Sequence, residues 1–109
     1  MAYDEGLLHR MRALLDEGPE VEEKKMFGGV GFMLQGNMAC GILNDDLIVR
    51  VGPDRYEEAL AAPHARPFDI TGRPMTGWVM VGPAGYGEDE DLERWVQQGL
   101  TFAESLPAK

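Results

Sequence analysis

The side chains with potential for covalent chemistry are few in this sequence. Cys40 is the single cysteine, and His9 and His64 are the two histidines. A thiol beside a histidine base can act as a catalytic nucleophile. Cys40, however, stands in the middle of an apolar alternating run, where a thiol is normally a small core residue of raised pKa and little reactivity. The pattern therefore favours a structural cysteine, and we expect no catalytic residues and no enzyme activity.

Metal binding is disfavoured by the number and spacing of the candidate ligands. Two histidines and one cysteine cannot build a conventional closed zinc site. The carboxylates at positions 88–91 are contiguous rather than spaced as in a calcium-binding loop, and a solvent-exposed helix start explains them. Asn44-Asp45-Asp46 is explained as a turn in which the side chains bond to nearby backbone. We expect no metal and no cofactor.

Glycines and basic residues raise the alternative of an anion-binding site. The cluster Gly28-Gly29-Val30-Gly31 offers backbone N–H groups, but it leads into a strand, so it fits neither a Walker loop nor a dinucleotide fingerprint. A tight corner with a strand bulge is the better explanation. Basic residues outside the predicted helices could still converge on a small anion near this corner. The resulting ligand-site hypothesis comprises Lys25, Gly28, Gly29, Arg50 and Arg73.

Composition describes an acidic domain. The 109 residues carry a net charge of −9, with 44% hydrophobic and 27% charged residues. This length suits one compact domain, residues 1–109. Because affinity for nucleic acid comes from Lys and Arg that neutralise phosphates, direct nucleic-acid binding is disfavoured. No apolar run reaches the roughly 18–20 residues of a membrane span, and no signal-peptide core is present. We expect a cytoplasmic protein with no membrane contact.

Amphipathic helices are predicted near both ends of the chain. Residues 4–17 carry an apolar stripe that begins at Leu7, with Asp4 as N-cap and Gly18-Pro19 as the stop. Residues 88–106 carry a second stripe behind acidic first turns, which the helix macrodipole favours. Gly99 and Ala103 in this stripe are small and permit close approach to another element.

The middle of the chain predicts an antiparallel sheet. A weak edge strand at 21–26 precedes a three-strand meander at 30–34, 38–43 and 47–51, connected by short Gly/Asn/Asp turns. The remaining predictions are a short helix at 54–62, a loop at 63–67, a short strand at 68–70, a strand at 75–81 and a flexible connection at 82–87.

The two faces of this meander are predicted to differ. One should pack on the helices, with Val30, Phe32, Leu34, Met38, Cys40, Ile42, Leu47, Val49 and Val51. The other carries Met33, Ala39, Gly41, Leu43, Ile48 and Arg50, and is unusually apolar for a surface that meets only water. A second helix or a partner subunit could cover it. Together with the last helix, this face supplies the predicted interface residues Met33, Ile48, Trp95 and Gly99.

The motifs of the middle region resemble the TfoX N-terminal domain family, also called TfoX/Sxy. The resemblance covers about residues 20–84 and rests on Lys25–Phe32, Gly36–Cys40, Asn44–Arg50, Arg66–Phe68, Gly72–Met75 and Trp78–Val81. It implies an α+β fold: an antiparallel sheet of about four to five strands with N- and C-terminal helices, in a secretion-chaperone-like arrangement that often forms dimers. Ile48 and Val49 stand where the family often has aromatic residues.

The resemblance also implies a role. The name-giving members regulate competence for DNA uptake together with other transcription factors, and these longer proteins have a second, helical domain. We expect a standalone single-domain member, and the resemblance carries over no catalytic residues. The leading hypothesis is a non-enzymatic regulatory or protein-interaction domain that forms a homodimer, with a possible protein partner in transcriptional regulation. The alternative is a small-ligand, anion-binding domain, and an uncharacterised enzyme ranks third.

Overall fold

One six-stranded antiparallel sheet forms the centre of the fold. The computed structural model describes residues 3–16, 20–26, 28–69, 72 and 75–107. In chain order the elements are α1 (Glu5–Leu15), β1 (Glu22–Met26), β2 (Gly29–Leu34), β3 (Asn37–Leu43), β4 (Asp46–Arg50), a 3₁₀ turn (Pro53–Arg55) running into α2 (Tyr56–Leu60), β5 (Ala65–Pro67), β6 (Trp78–Val81), α3 (Pro83–Tyr86) and α4 (Asp89–Glu104). The strand order is β1-β2-β3-β4-β6-β5. The predicted α+β class is confirmed, with six strands rather than four to five.

The two amphipathic helices form where their apolar stripes predict them. The Asp4 carboxylate accepts hydrogen bonds from the N–H groups of Gly6 and Leu7, at 2.9 and 3.2 Å, and so caps α1. α1 buries Leu7, Leu8, Met11 and Leu15, and α4 buries Leu92, Trp95, Val96, Gly99, Leu100 and Ala103. The predicted stop at Gly18-Pro19 lies outside the described residues.

Both helices pack on the same face of the sheet, and the main core lies between them. Phe32, Val49 and Val79 belong to this core and are at most 1% exposed. Burial of such side chains is the main favourable term in folding. The predicted inward facing of β2 and β4 is confirmed.

A β-bulge in β3 changes the predicted facing of two residues. Phe32 pairs with Cys40 but Met33 pairs with Met38, so Ala39 is an extra residue in β3. Because side chains alternate along a strand, one extra residue reverses the facing beyond it. Met38 therefore packs on the face away from the helices, whereas Ala39 is fully buried in the main core. The prediction was wrong for both residues, and the predicted bulge at the glycine corner lies in β3 instead.

Glycine-containing turns connect the meander as expected. Gln35 and Gly36 both have positive φ, 53° and 83°, and link the paired residues Leu34 and Asn37. This two-residue turn with positive φ at both positions is the type I′ geometry that matches strand twist. Gly28 has φ 79°, which fits the predicted corner between β1 and β2.

The chain after β4 differs from the prediction in two places. β5 lies at Ala65–Pro67, within the predicted loop, and not at 68–70. It is an edge strand, where proline is tolerated because one side of the strand makes no ladder hydrogen bonds. The predicted flexible connection contains α3, which begins at Pro83, a favourable first helical residue. Ile70 and Arg73 lie outside the described residues.

Long-range polar contacts hold the termini and turns against the sheet. The Tyr86 hydroxyl donates to the Asp45 carbonyl oxygen at 2.5 Å, and Arg10 donates to the Tyr86 carbonyl oxygen at 3.0 Å. The Asn37 amide, 3% exposed, donates to the Pro107 carbonyl oxygen at 2.9 Å. These contacts fix the segments before and after α4, and therefore the position of that helix.

Candidate functional site

One face of the sheet has no helix packed on it in the part of the chain that the structure describes. We call this surface, which points away from α1 and α4, the outer face. Strand register places on it Glu22, Lys24, Gly31, Met33, Met38, Gly41, Leu43, Asp46, Ile48, Arg50, Arg66, Trp78 and Met80. The face therefore combines apolar side chains with glycines and a few charges.

The chain itself covers part of the outer face. Phe68 folds onto it and forms a small buried cluster with Ile48 and Met80. The Phe68 and Trp78 rings lie with centroids 6.0 Å apart at a tilt of 47°. The half-exposed Met38 and Leu43 pack at the margin of this cluster.

The rest of the outer face is a shallow apolar surface. Met33 on β2 is half-exposed. Met75, in the loop before β6, is 36% exposed. The side chain of Met38 lies over Gly41: a β-carbon added at Gly41 would be 2.7 Å from its Cε. Flexible, polarisable methionines suit a surface that adapts to a partner. The uncovered part of the face is therefore apolar and conformationally adaptable.

Arg50 at the end of β4 is held by two aromatic rings. Its Cζ lies 5.1 Å from the centroid of Trp78 and 5.3 Å from that of Phe102 on α4. Both distances are within the range of a cation–π interaction. The guanidinium thus links the outer face to α4. The two aromatic rings provide contacts for this charged side chain within the protein itself.

Comparison with known proteins gives a family match. The family model described as the TfoX N-terminal domain matches residues 13–103, nearly the whole chain. The chain belongs to the TfoX N-terminal domain family. No curated protein and no solved structure gives a significant match. The assignment of this TfoX N-terminal domain therefore rests on the family model, and the architecture on the structure.

The described residues of the anion-site hypothesis do not all lie together in this TfoX N-terminal domain. Gly29 is the first residue of β2, next to Val30, which pairs with Ile42 near the end of β3. The following residue of β3, Leu43, pairs with Asp46 at the start of β4, so β2 and β4 begin at the same end of the sheet. Arg50 lies two strands across the sheet from Gly29, about 10 Å, and at the other end of β4, about 13 Å along the strand, so their backbones are roughly 16 Å apart. Lys25 is exposed on the edge strand, Gly28 is an exposed corner, and Arg73 lies outside the described residues.

The four predicted interface residues are distributed over three environments. Trp95 and Gly99 are buried in the main core against the chain's own sheet. Ile48 is 5% exposed under Phe68. Met33 is half-exposed on the outer face and is the member of this set that a partner can reach. The sequence pattern did not reveal the cover that the chain itself provides over Ile48.

Burial perturbs two ionisable side chains of this domain, Cys40 and Tyr86. Burial raises the pKa of the Cys40 thiol to about 12, so the reactive thiolate is suppressed. Burial, and to a smaller extent the negative charge of Asp4, raises the pKa of Tyr86 to about 12 as well.

Among the described residues, no group of three or more His, Cys, Asp or Glu could hold a metal ion. In the same part of the chain, none of the helices has the length and apolar character to cross a bilayer.

Sequence reasoning did not identify a polar cleft on the helical side of this domain. It lies between α2, α3 and α4, and its rim includes Glu58, His64 and Arg94. His64 was considered as a base for Cys40 and as a zinc ligand, but it is exposed while Cys40 is fully buried. The one local signal was the pair of prolines at 63 and 67, which indicates a shaped turn but no chemistry.

Proposed function

We propose that this TfoX N-terminal domain is a non-enzymatic regulatory module that associates, as a homodimer, through its outer face. The observation that carries the proposal is the uncovered apolar part of that face, formed by Met33, Met38 and Leu43. An antiparallel sheet with one solvated face normally alternates apolar and polar side chains. Apolar side chains at the solvated positions are typical of a surface that a partner covers.

The distribution of charge favours a second copy as the partner. The whole chain carries −9, so two copies repel each other over most of their surfaces. On the described strands of the outer face, two carboxylates are balanced by three basic side chains: Glu22, Asp46, Lys24, Arg50 and Arg66. Asp46 and Arg66 already pair at 2.6 Å. Repulsion between copies is therefore weakest where these faces meet.

The free edge of the sheet is less suited to association. β1 exposes Glu22, Glu23, Lys24 and Lys25, and charged residues on an edge strand oppose pairing with another strand. Glu23 is also engaged, because its carboxylate accepts two hydrogen bonds from Arg12, at 2.6 and 2.9 Å. This contact lowers the pKa of Glu23 below its usual value. We therefore place the contact on the face rather than on the edge.

Charge substitution on the outer face tests this proposal. Met33→Lys places an ammonium group on the outer face and leaves the main core unchanged. We expect it to raise the dimer dissociation constant by at least about tenfold, the equivalent of 1.4 kcal/mol, in sedimentation equilibrium. The matched control is Gln97→Lys, which makes the same change of charge on the exposed side of α4.

The result depends on the contrast between these two variants. A dimer that Gln97→Lys weakens as much as Met33→Lys would place the contact elsewhere and reject the outer face. Far-ultraviolet circular dichroism of both variants shows whether the fold is retained.

A further inference from the structure

A half-open cleft on the helical side of the molecule has no role in the proposed dimer. Its volume is about 480 Å³, within the range of small-ligand sites. The apolar part of the lining comes from alanines, Pro63 and Gly85, and the polar groups in the lining are Glu58, His64, Asp91, Arg94 and Gln98. Trp95, 7% exposed, contributes an aromatic wall.

The backbone around the cleft is shaped by a strained histidine. His64 has φ 67°, a left-handed conformation that costs a non-glycine residue energy. Its carbonyl oxygen accepts a hydrogen bond from the Gly82 N–H at 3.1 Å, which holds the turn. Gly85 allows this arrangement, because a β-carbon there would be 2.5 Å from Val81 Cγ1 and 3.0 Å from His64 Cβ. The imidazole is thus presented at the rim by a close-packed turn.

The charges of the cleft favour a cation. Arg94 pairs with Asp91 one turn away on α4, so these two charges cancel. Glu58 makes no ion pair within the part of the chain that the structure describes, and it leaves the lining with one uncompensated negative charge. The net charge of −9 adds a long-range attraction for cations.

We propose that this cleft binds an amine or guanidinium cation, with Glu58 as its counter-ion. The Gln98 amide oxygen in the lining is a further hydrogen-bond acceptor. The wall formed by Trp95 suits a cation, because an indole attracts positive charge electrostatically. The cation is either a free small molecule or a Lys or Arg side chain of a protein, and the same groups recognise both.

Two ligands of similar size, one charged and one neutral, test whether binding in the cleft depends on positive charge. N-acetyl-arginine amide carries the guanidinium, and N-acetyl-citrulline amide replaces it with a neutral group of similar size. The readout is the indole N–H resonance of Trp95, which distinguishes it from Trp78 on the other side of the sheet. We expect a saturable shift with the arginine compound and none with the citrulline compound.

Two glutamates on α2 provide the protein control. Glu58→Gln should weaken binding by about tenfold, whereas Glu57→Gln, an exposed neighbour outside the cleft, should change it less than about twofold. Equal loss in both variants, or no saturable shift with any cationic probe, overturns the proposal.

A short peptide with one arginine among glycines and serines identifies the source of the cation. Tighter binding of this peptide, with the same dependence on Glu58, supports a basic segment of a protein partner. Equal affinity of the peptide and the single amino-acid derivative supports a free small cation.

Discussion

Gly99 on α4 and the extra residue of the β3 bulge, Ala39, are in direct contact. A β-carbon at Gly99 would lie 2.3 Å from the Ala39 carbonyl oxygen. The bulge lies where the helix has no side chain, so the β3 backbone can approach α4 closely at this position. This contact sets the distance between α4 and the sheet, and it makes Gly99 a packing residue rather than an interface residue.

Gly99→Ala tests this contact. The added methyl group must displace either the helix or the bulge, and such overpacking costs about 1–3 kcal/mol of unfolding free energy. Gln97→Ala on the exposed side of α4 should change stability by less than about 0.5 kcal/mol. Urea unfolding of both variants gives the two free energies of unfolding. A Gly99→Ala protein more stable than the wild type would show that the methyl group fits without displacing the helix or the bulge.

The hairpin turn between β2 and β3 offers a stabilising change. Gln35 has φ 53° before Gly36, and Asn-Gly is the preferred pair for this type I′ turn. Because Asn tolerates the left-handed region better than Gln, Gln35→Asn should raise the unfolding free energy by up to about 1 kcal/mol. Thermal unfolding of this variant and of the wild-type protein measures the difference in stability. A lower melting temperature would argue against the type I′ geometry.

Adjacent residues of β2 test which face meets the helices. Phe32 is 1% exposed in the main core, so Phe32→Ala should cost about 3–5 kcal/mol, close to the whole stability of a small domain. Met33→Ala, one residue further along on the outer face, should cost less than about 1 kcal/mol in the monomer. Denaturant unfolding at low protein concentration measures both, and similar losses would contradict the assigned faces.

Alkaline pH should destabilise the fold through two groups. Burial raises the pKa of Cys40 from 9.0 to about 12 and that of Tyr86 from 10.0 to about 12. Each group therefore loses its proton more readily in the unfolded chain, so stability is full below pH 9 and falls as pH rises from 9 toward 12. Urea unfolding over this range gives the dependence. A flat profile would contradict the burial of both groups.

Cys40 and Tyr86 can be separated within this experiment. Tyr86→Phe removes the tyrosine titration and should leave the shallower decline that belongs to Cys40, at a lower starting stability because the hydrogen bond to Asp45 is lost. In the native wild-type protein, Cys40 should resist thiol reagents at neutral pH and react once unfolded.

Side-chain alternation predicted much of the sheet, whereas backbone irregularities escaped it. Val30, Phe32 and Leu34 alternate without interruption, and their facing was correct. The Ala39 bulge leaves no mark in residue types, because alanine and methionine are acceptable on either face. β5 was missed because Pro67 resembles a loop residue when its place at the sheet edge is unknown.

The candidate sites depended on contacts distant in sequence, which composition does not encode. The outer face was correctly recognised as apolar, but Phe68 covers Ile48 through a fold of the chain that no local pattern specifies. The cleft is formed by α2, the turn at His64, α3 and α4, which converge only after folding. No motif in the sequence marks the residues of the cleft, because they become neighbours only in the folded chain.

The most direct test of the proposed homodimer is the solution mass of the unmodified chain by light scattering over a wide range of concentration. We predict a mass that approaches twice 12.1 kDa as concentration rises from the micromolar to the millimolar range. Such a rise would support association of a second copy. A mass that stays at 12.1 kDa at every concentration would contradict the proposal that the outer face binds a second copy of this chain.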